Sequence, residues 1–349
     1  MTGVMDYQPL VLVDTADLPS NEWLAYRRRG IGGSDAAAVL GISPFRTARD
    51  LYHDKLDIVT ADDQVNWVAK EVGTLLEDLV ARIFAEKTGL HIFQRKFIFQ
   101  HPHYPWMLAD LDYLVSLPDG SLAILECKTC NFNAKDNWWY NGQETVPIYY
   151  ECQGRHYMCV MNINRVFFCC LYGNSEDNVI IRSIDRDRAY EDELIALEDD
   201  FWHNHVLAKI PPPYTEDGDL ILESLRRSLG PADEDAPPIL ITPPQFSKVK
   251  RYMELQSEKK KLDSEIKRLD AELERTKALI VADMGTSCRA TYEDLSGSYL
   301  ITFKPSKRPV ILKNDLERMK AIDPEIYTKY VTISESRRFN IKKLKEDAA

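Results

Sequence analysis

Residues 107–128 limit the fold of this chain more than any other stretch. They read Met-Leu-Ala-Asp-Leu-Asp-Tyr-Leu-Val, then Ser-Leu-Pro-Asp-Gly-Ser, then Leu-Ala-Ile-Leu-Glu-Cys-Lys. Both arms alternate or run apolar, and Pro118-Asp119-Gly120 supplies turn chemistry, so a β-hairpin is predicted. The first arm carries Asp110 and Asp112. Glu126 and Lys128 have one residue between them and share a face of the second arm. With the turn centred near Asp119, Asp112 falls opposite Glu126. Two carboxylates and an ammonium then meet on a sheet that otherwise reads as buried. That is costly unless a cation is bound there.

The arrangement suits metal-dependent phosphodiester hydrolysis, in which carboxylates hold one or two divalent cations against the scissile phosphate. Hard oxygen ligands favour Mg²⁺ or Mn²⁺. Lys128 is placed to orient a water or to neutralise charge in the transition state. The Cys127 side chain points to the opposite face, while its backbone carbonyl remains within reach of a metal. Pro118-Asp119 also precedes Glu126-Cys127-Lys128, but at strand spacing Asp119 lies about 20 Å along the hairpin from Glu126, so it belongs to the turn. Asp112 is the chosen ligand, with Asp110 as an accessory. Taken alone, the three residues also fit a cross-strand salt bridge on an exposed face.

Around the hairpin the pattern predicts an α/β fold with a mixed central sheet flanked by helices. A helix is expected over 66–88, with Leu75, Leu76, Leu79, Val80, Ile83 and Phe84 as its buried stripe and Gly89 as its end. Glu77 lies beside that stripe, where the plain reading is a boundary carboxylate. Strands are expected over 90–99, 165–172 and 179–184, and helices over 149–163 and about 185–208. Gln153 and Tyr157, four apart, share a helix face. The segment 129–148 is irregular. Its Trp138, Trp139 and Tyr140 fit either core and lid packing or stacking on unpaired bases. Residues 1–210 form one domain. Prolines and acids over 211–245 mark a linker. Residues 246–349 begin with a long charged helix in which Tyr252, Leu255, Leu262, Ile266, Leu269, Leu273 and Ile280 make a coiled-coil or hairpin seam. Strands over 288–312, a helical stretch over 314–329 and a basic strand over 337–345 follow.

At 349 residues and 44% apolar composition the chain has room for a large core. No apolar run reaches the roughly 18–20 residues that span a bilayer. The N-terminus lacks a basic leader, and seven cysteines show no disulfide spacing, so a cytoplasmic setting is expected. Cys127-x-x-Cys130 with Cys152, Cys159, Cys169 and Cys170 reads as buried thiols rather than as a metal cluster. A net charge of −11 excludes a uniformly basic coat but not a local basic channel.

One more motif stands near the start. Ser20-Asn21-Glu22-Trp23 opens a helix. Arg27-Arg28-Arg29 follows, then Gly30-Ile31-Gly32-Gly33-Ser34-Asp35 before a second helix, with Ser34 or Asp35 as N-cap. Free backbone N–H groups, a hydroxyl and guanidinium groups suit a phosphate. An ordinary capped turn with solvated arginines fits equally well.

Together these residues form a set. Trp23, Arg27 and Gly30 to Asp35, then Gly73 and Glu77, then Leu108 to Asp112, then Leu125 to Lys128, then Gln153 and Tyr157 resemble the YqaJ-type viral recombinase family. That family groups with the phage λ exonuclease among PD-(D/E)xK nucleases, and the resemblance covers about residues 20–175. It implies that Asp112, Glu126 and Lys128 are catalytic, that Glu77 is a further active-site acid, and that Gln153 and Tyr157 form the family's Q-x-x-x-Y helix motif. Arg27 and Ser34 would hold a terminal 5′-phosphate, with Arg28 as a neighbouring candidate. It further implies a 5′→3′ exonuclease on double-stranded DNA ends, a ring-shaped trimer, a single-strand annealing protein as partner, and a phage or prophage origin. The C-terminal third departs from the compact λ-type core. A nuclease with little end preference, or a DNA-binding module with a degenerate site, are the competing readings.

Overall fold

The computed structural model describes residues 7–58, 67–229, 236–294, 297–304 and 313–330. The chain divides into two units, Met1–Glu234 and Asp235–Ala349. In the first unit the elements run β1 (Leu10–Asp14), α1 (Ser20–Arg27), β2 (Ile31–Gly32), α2 (Gly33–Val39), α3 (Ala48–Lys55), α4 (Trp67–Thr88), β3 (His91–Phe93), β4 (Phe97–Gln100), β5 (Met107–Asp110), β6 (Tyr113–Ser116) and β7 (Leu122–Thr129). A 3₁₀ turn, Phe132–Trp138, leads to β8 (Trp139–Tyr140) and β9 (Gln143–Glu144). Then come α5 (Ile148–Met161), β10 (Arg165–Leu171), β11 (Val179–Asp185), α6 (Arg188–Asp200), a π-helical turn over Phe201–Leu207 and α7 (Gly218–Leu229).

Two sheets carry the site. One has the order β11-β10-β7-β6-β3, the other β1-β4-β5-β2. In the first, β7 and β10 are parallel, joined through α5, while β6 pairs antiparallel with β7. Alternation along β7 sets the layers. Ala123 and Leu125 pack under α4 with Val80, Ala81 and Phe84. Ile124 faces the other way, into the core that holds Met158 of α5 and Phe168 of β10. The next residues on the α5 face are Glu126 and Lys128. A central, doubly covered strand thus delivers two charges to one side.

The turn of the hairpin is as expected. Leu117 N–H donates to the Ser121 carbonyl at 2.9 Å, Asp119 Oδ1 accepts from Ser121 N–H at 2.9 Å, and Gly120 takes φ +84°. The first arm departs from expectation. It breaks at Leu111-Asp112, with β5 in one sheet and β6 in the other. Likewise 90–99 is two strands in two sheets, not one. β1 had no counterpart in the sequence reading.

Other expectations need correcting. Leu75 is 69% exposed, because the stripe of α4 is buried only from Leu76 onward. The N-cap of α2 is Gly32, neither Ser34 nor Asp35; Asp35 sits at the third helical position and accepts from Gly32 N–H at 2.9 Å. Residues 211–229 are not linker. Arg49 donates to the Pro212 carbonyl at 2.7 Å, and Ser224 and Arg227 of α7 donate to Asp50 of α3, each at 2.8 Å. The second unit contains α8 (Pro243–Met284), the hairpin β12 (Arg289–Asp294) and β13 (Gly297–Thr302), α9 (Lys313–Ile322) and α10 (Pro324–Tyr330). The expected strand over 337–345 lies outside the described residues. No helix among the described residues is long and apolar enough to cross a membrane.

Asp50 both closes the capping box of α3 with Thr47 and receives α7. Its pKa is lowered, with these hydrogen bonds outweighing the opposing effect of burial. Its contribution is therefore present above the ordinary aspartate range and lost as pH falls below it. Asp50→Ala is expected to cost about 1–2 kcal/mol in urea unfolding at neutral pH, with the difference from wild type shrinking in acid.

Candidate active site

The β6–β7 register pairs Tyr113 with Leu125, so the next step places Asp112 beside Glu126 at the end of the ladder. Asp112 Oδ2 accepts from Cys127 N–H at 2.8 Å. Glu126 Oε1 accepts from Lys128 Nζ at 2.6 Å and from Gln153 Nε2 at 2.5 Å. Glu126 Oε2 is buried and has no partner. An orphaned buried carboxylate oxygen is expensive, and a cation beside Asp112 would satisfy it. Among the described residues there is no ready-made cluster of three or more His, Cys, Asp or Glu. The donor set is instead a pair of carboxylates with room for water and phosphate oxygens, the manner in which Mg²⁺ is usually bound.

The charges support the same fit. Burial and then the neighbouring Glu126 push the Asp112 carboxyl well above its ordinary range. Burial, Glu126 and Asp78 push Glu77 up as well. Burial works against the Lys128 ammonium, yet Glu126 and Asp112 hold its pKa above the usual lysine value. Those two carboxylates favour the charged form of Lys128. It also lies 4.9 Å over the Tyr150 ring and donates to Gln153 Oε1 at 3.1 Å. The Cys127 side chain packs on the α4 side, as expected, and so cannot be a thiolate ligand at this site.

Gln153 and Tyr157 come from α5, and the Tyr157 hydroxyl lies 3.4 Å from Gln153 Nε2. Tyr157 packs flat against Gly33; a Cβ there would meet the ring at 2.5 Å. One group that sequence reasoning missed positions this helix. His156, fully buried, shares Nδ1 with Glu198 of α6 at 2.8 Å and donates Nε2–H to the Leu108 carbonyl at 2.9 Å. It thereby ties α5 to β5, two residues before Asp110. A lone histidine in an apolar helix gave no signal for this.

The glycine turn meets the same cleft. Arg27 donates to Ser34 Oγ at 2.6 Å and stacks 4.8 Å over Trp23. Trp23 Nε1–H donates to Asp110 Oδ2 at 2.8 Å, so Asp110 bridges this end to the metal-ligand candidates. Arg28 turns away to Asp54 and Asp57, at 3.2 and 2.7 Å. Beneath the turn, Asp35 is 2% exposed and holds Lys55 at 2.6 Å and Arg46 as well. These partners were also missed. A cleft of about 500 Å³ joins Arg27, Ser34, Glu77, Asp110, Asp112, Glu126, Gln153 and Tyr157, with Arg95 and Lys96 on its rim. Of the aromatic group, Trp138 is core at 1% exposure, whereas Tyr140 is 72% exposed.

Residues 22–164 match the model of the YqaJ-like viral recombinase domain. The chain is 28% identical over 345 residues to the uncharacterized protein YqaJ of Bacillus subtilis, covering 96% of this chain and 98% of that one. Among solved structures it is similar to an alkaline exonuclease from Laribacter hongkongensis, at 20% identity over 55% of this chain and 94% of that one, with a TM-score of 0.45. A phage-related exonuclease from Haemophilus somnus matches at 11% identity over 52% and 96%, with a TM-score of 0.38.

Asp112 crowded against Glu126 is destabilising in the metal-free protein. Asp112→Asn keeps the acceptor for Cys127 N–H and removes the charge. It is expected to raise the metal-free melting temperature by a few degrees and to abolish the further rise expected of the wild type on addition of Mg²⁺ or Mn²⁺. Differential scanning calorimetry with and without the cation checks both.

Proposed function

We propose that this chain, whose residues 22–164 form a YqaJ-like viral recombinase domain, is a metal-dependent DNA exonuclease that degrades double-stranded ends 5′→3′ and leaves 3′ single strands for annealing-type recombination. The observation that carries the reading is the unpartnered Glu126 Oε2 beside Asp112 and Lys128, in one cleft with Arg27 and Ser34. Asp112 and Glu126 would hold the cation, Mg²⁺ or Mn²⁺, with Glu77 and the Cys127 carbonyl as further oxygens. When bound, the cation supplies charge for the scissile phosphate and lowers the pKa of an attacking water. The chain's own groups do the rest. Gln153 fixes the Glu126 carboxylate, and Lys128 presents a permanent positive charge to the developing phosphorane oxygens. Arg27 and the Ser34 hydroxyl receive the terminal 5′-phosphate, which sets the reacting bond at a fixed distance from the end. Arg28, paired with Asp54 and Asp57, is the weaker candidate for that phosphate. The working setting is the cytoplasm of a bacterial host, with a homo-oligomer, a trimer by family likeness, and a single-strand annealing protein as partner.

End-labelled linear duplex carrying a 5′-phosphate or a 5′-hydroxyl, and a closed circle, test the reading in one assay. Digestion of the phosphorylated line should be fastest and the circle should persist. Lys128→Ala should abolish digestion while sparing binding, and Arg27→Ala should remove the phosphate preference at a cost of about tenfold in rate. A circle cut as fast as a line would make the enzyme an endonuclease, and undiminished digestion by the Lys128 variant would displace the site.

A further inference from the structure

Along the 42 residues of α8 no side chain is buried. Leu255, Leu262, Ile266, Leu269 and Leu273 nevertheless follow one another at intervals of seven, four, three and four residues and stand 46% to 66% exposed. An exposed apolar stripe of this length, interrupted only at Lys259, marks a contact surface. With Leu255, Leu262 and Leu269 at heptad position d, Ile266 and Leu273 fall at a.

The flanks of the seam show what it fits. Between residues 256 and 272, positions e and g hold Gln256, Glu258, Asp263, Glu265, Asp270 and Glu272, five acids in six places, with Arg251 and Lys277 just beyond them. The basic residues lie on the outer face, at b and c, as Lys260, Lys261, Lys267, Arg268 and Arg275. The helix is thus acid-flanked along its apolar edge and basic away from it. A second copy in parallel register would set Glu258 against Asp263, Glu265 against Asp270, and Lys259 against Lys259 at an a position, with one attractive pair, Glu272 against Lys277. An antiparallel copy would again bring acid to acid, because both flanks carry the same sign. Like charges at these positions act against pairing and choose the partner.

We propose that the α8 seam docks a helix of another protein whose own apolar a/d seam is flanked by lysine or arginine. Such a helix meets every acidic flank with an opposite charge and covers the leucines at once. The seam belongs to the second unit, and its use does not depend on the proposed activity.

The test uses the full chain and a fluorescent synthetic helix about four heptads long, with Ile and Leu at a and d and Lys at e and g. Its control carries Glu at e and g. The Lys-flanked probe is expected to bind on the order of tenfold tighter or more. Leu262→Glu with Leu269→Glu should abolish that binding, with helical circular dichroism and nuclease rate unchanged. Glu265→Lys with Asp270→Lys should shrink the preference for the Lys-flanked probe severalfold. Equal binding of the two probes, or none of the Lys-flanked one, overturns the proposal. So does a solution molar mass that falls in the Leu262/Leu269 variant, since the seam would then be a self-contact.

Discussion

The cleft depends on how one carboxylate is held. Glu126 stands on β7, between β6 and β10, in the most constrained position the sheet offers. One of its oxygens takes two donors, Lys128 from its own strand and Gln153 from α5. The other oxygen takes none. A buried carboxylate with both oxygens satisfied would be a structural ion pair and nothing more. Held by one oxygen alone, it is rigid yet chemically unfinished, and its direction is set before any ligand arrives. The rest of the unit serves that rigidity: Tyr157 packs on Gly33, and His156 with Glu198 fixes α5 to the strand that leads to Asp112.

The basic end of the cleft is organised the same way. Asp35 is buried, and Lys55 at 2.6 Å and Arg46 already neutralise it. Arg27 approaches the same carboxylate only to 3.8 Å. Its guanidinium is therefore steered by Asp35, Ser34 and the Trp23 ring without being used up by any of them. A charge oriented by neighbours but not fully paired is what recognition of a phosphate needs. Arg28, one residue on, is paired with two aspartates and is a structural cation. The two arginines look alike in sequence, and only their partners separate them.

What was legible in the sequence followed from period. Alternation over Leu122–Lys128 and the turn at Asp119 were enough to bring Asp112 opposite Glu126 and to remove Asp119 from the site. The 3–4 spacing gave α4 and α5 nearly to their ends. The break at Leu111-Asp112 was not legible, because a strand that changes sheet keeps its apolar alternation. The misread segment 211–229 shows the opposite failure. Its prolines and acids look like linker, but the Arg49 guanidinium and Asp50 carboxylate that hold it lie more than 160 residues away. The same distance effect hid Lys55 and Arg46 beneath Asp35, and Glu198 beside His156. Pairing across sequence leaves no local mark.

A net charge of −11 sits oddly with a polyanionic substrate until the charges are located. Glu77, Asp110, Asp112 and Glu126 line one cleft, while Arg27, Arg95 and Lys96 stand at its margin. Bare, the acidic floor repels a phosphodiester that the margin attracts. A divalent cation between Asp112 and Glu126 inverts the sign at the floor and leaves the margin unchanged. Under the proposed function, affinity for a DNA end and affinity for the cation would then be coupled, each raising the other by the same factor. The overall acidity of the chain is thus no obstacle to binding DNA. Under the proposed function it would confine tight binding to the cation-loaded cleft.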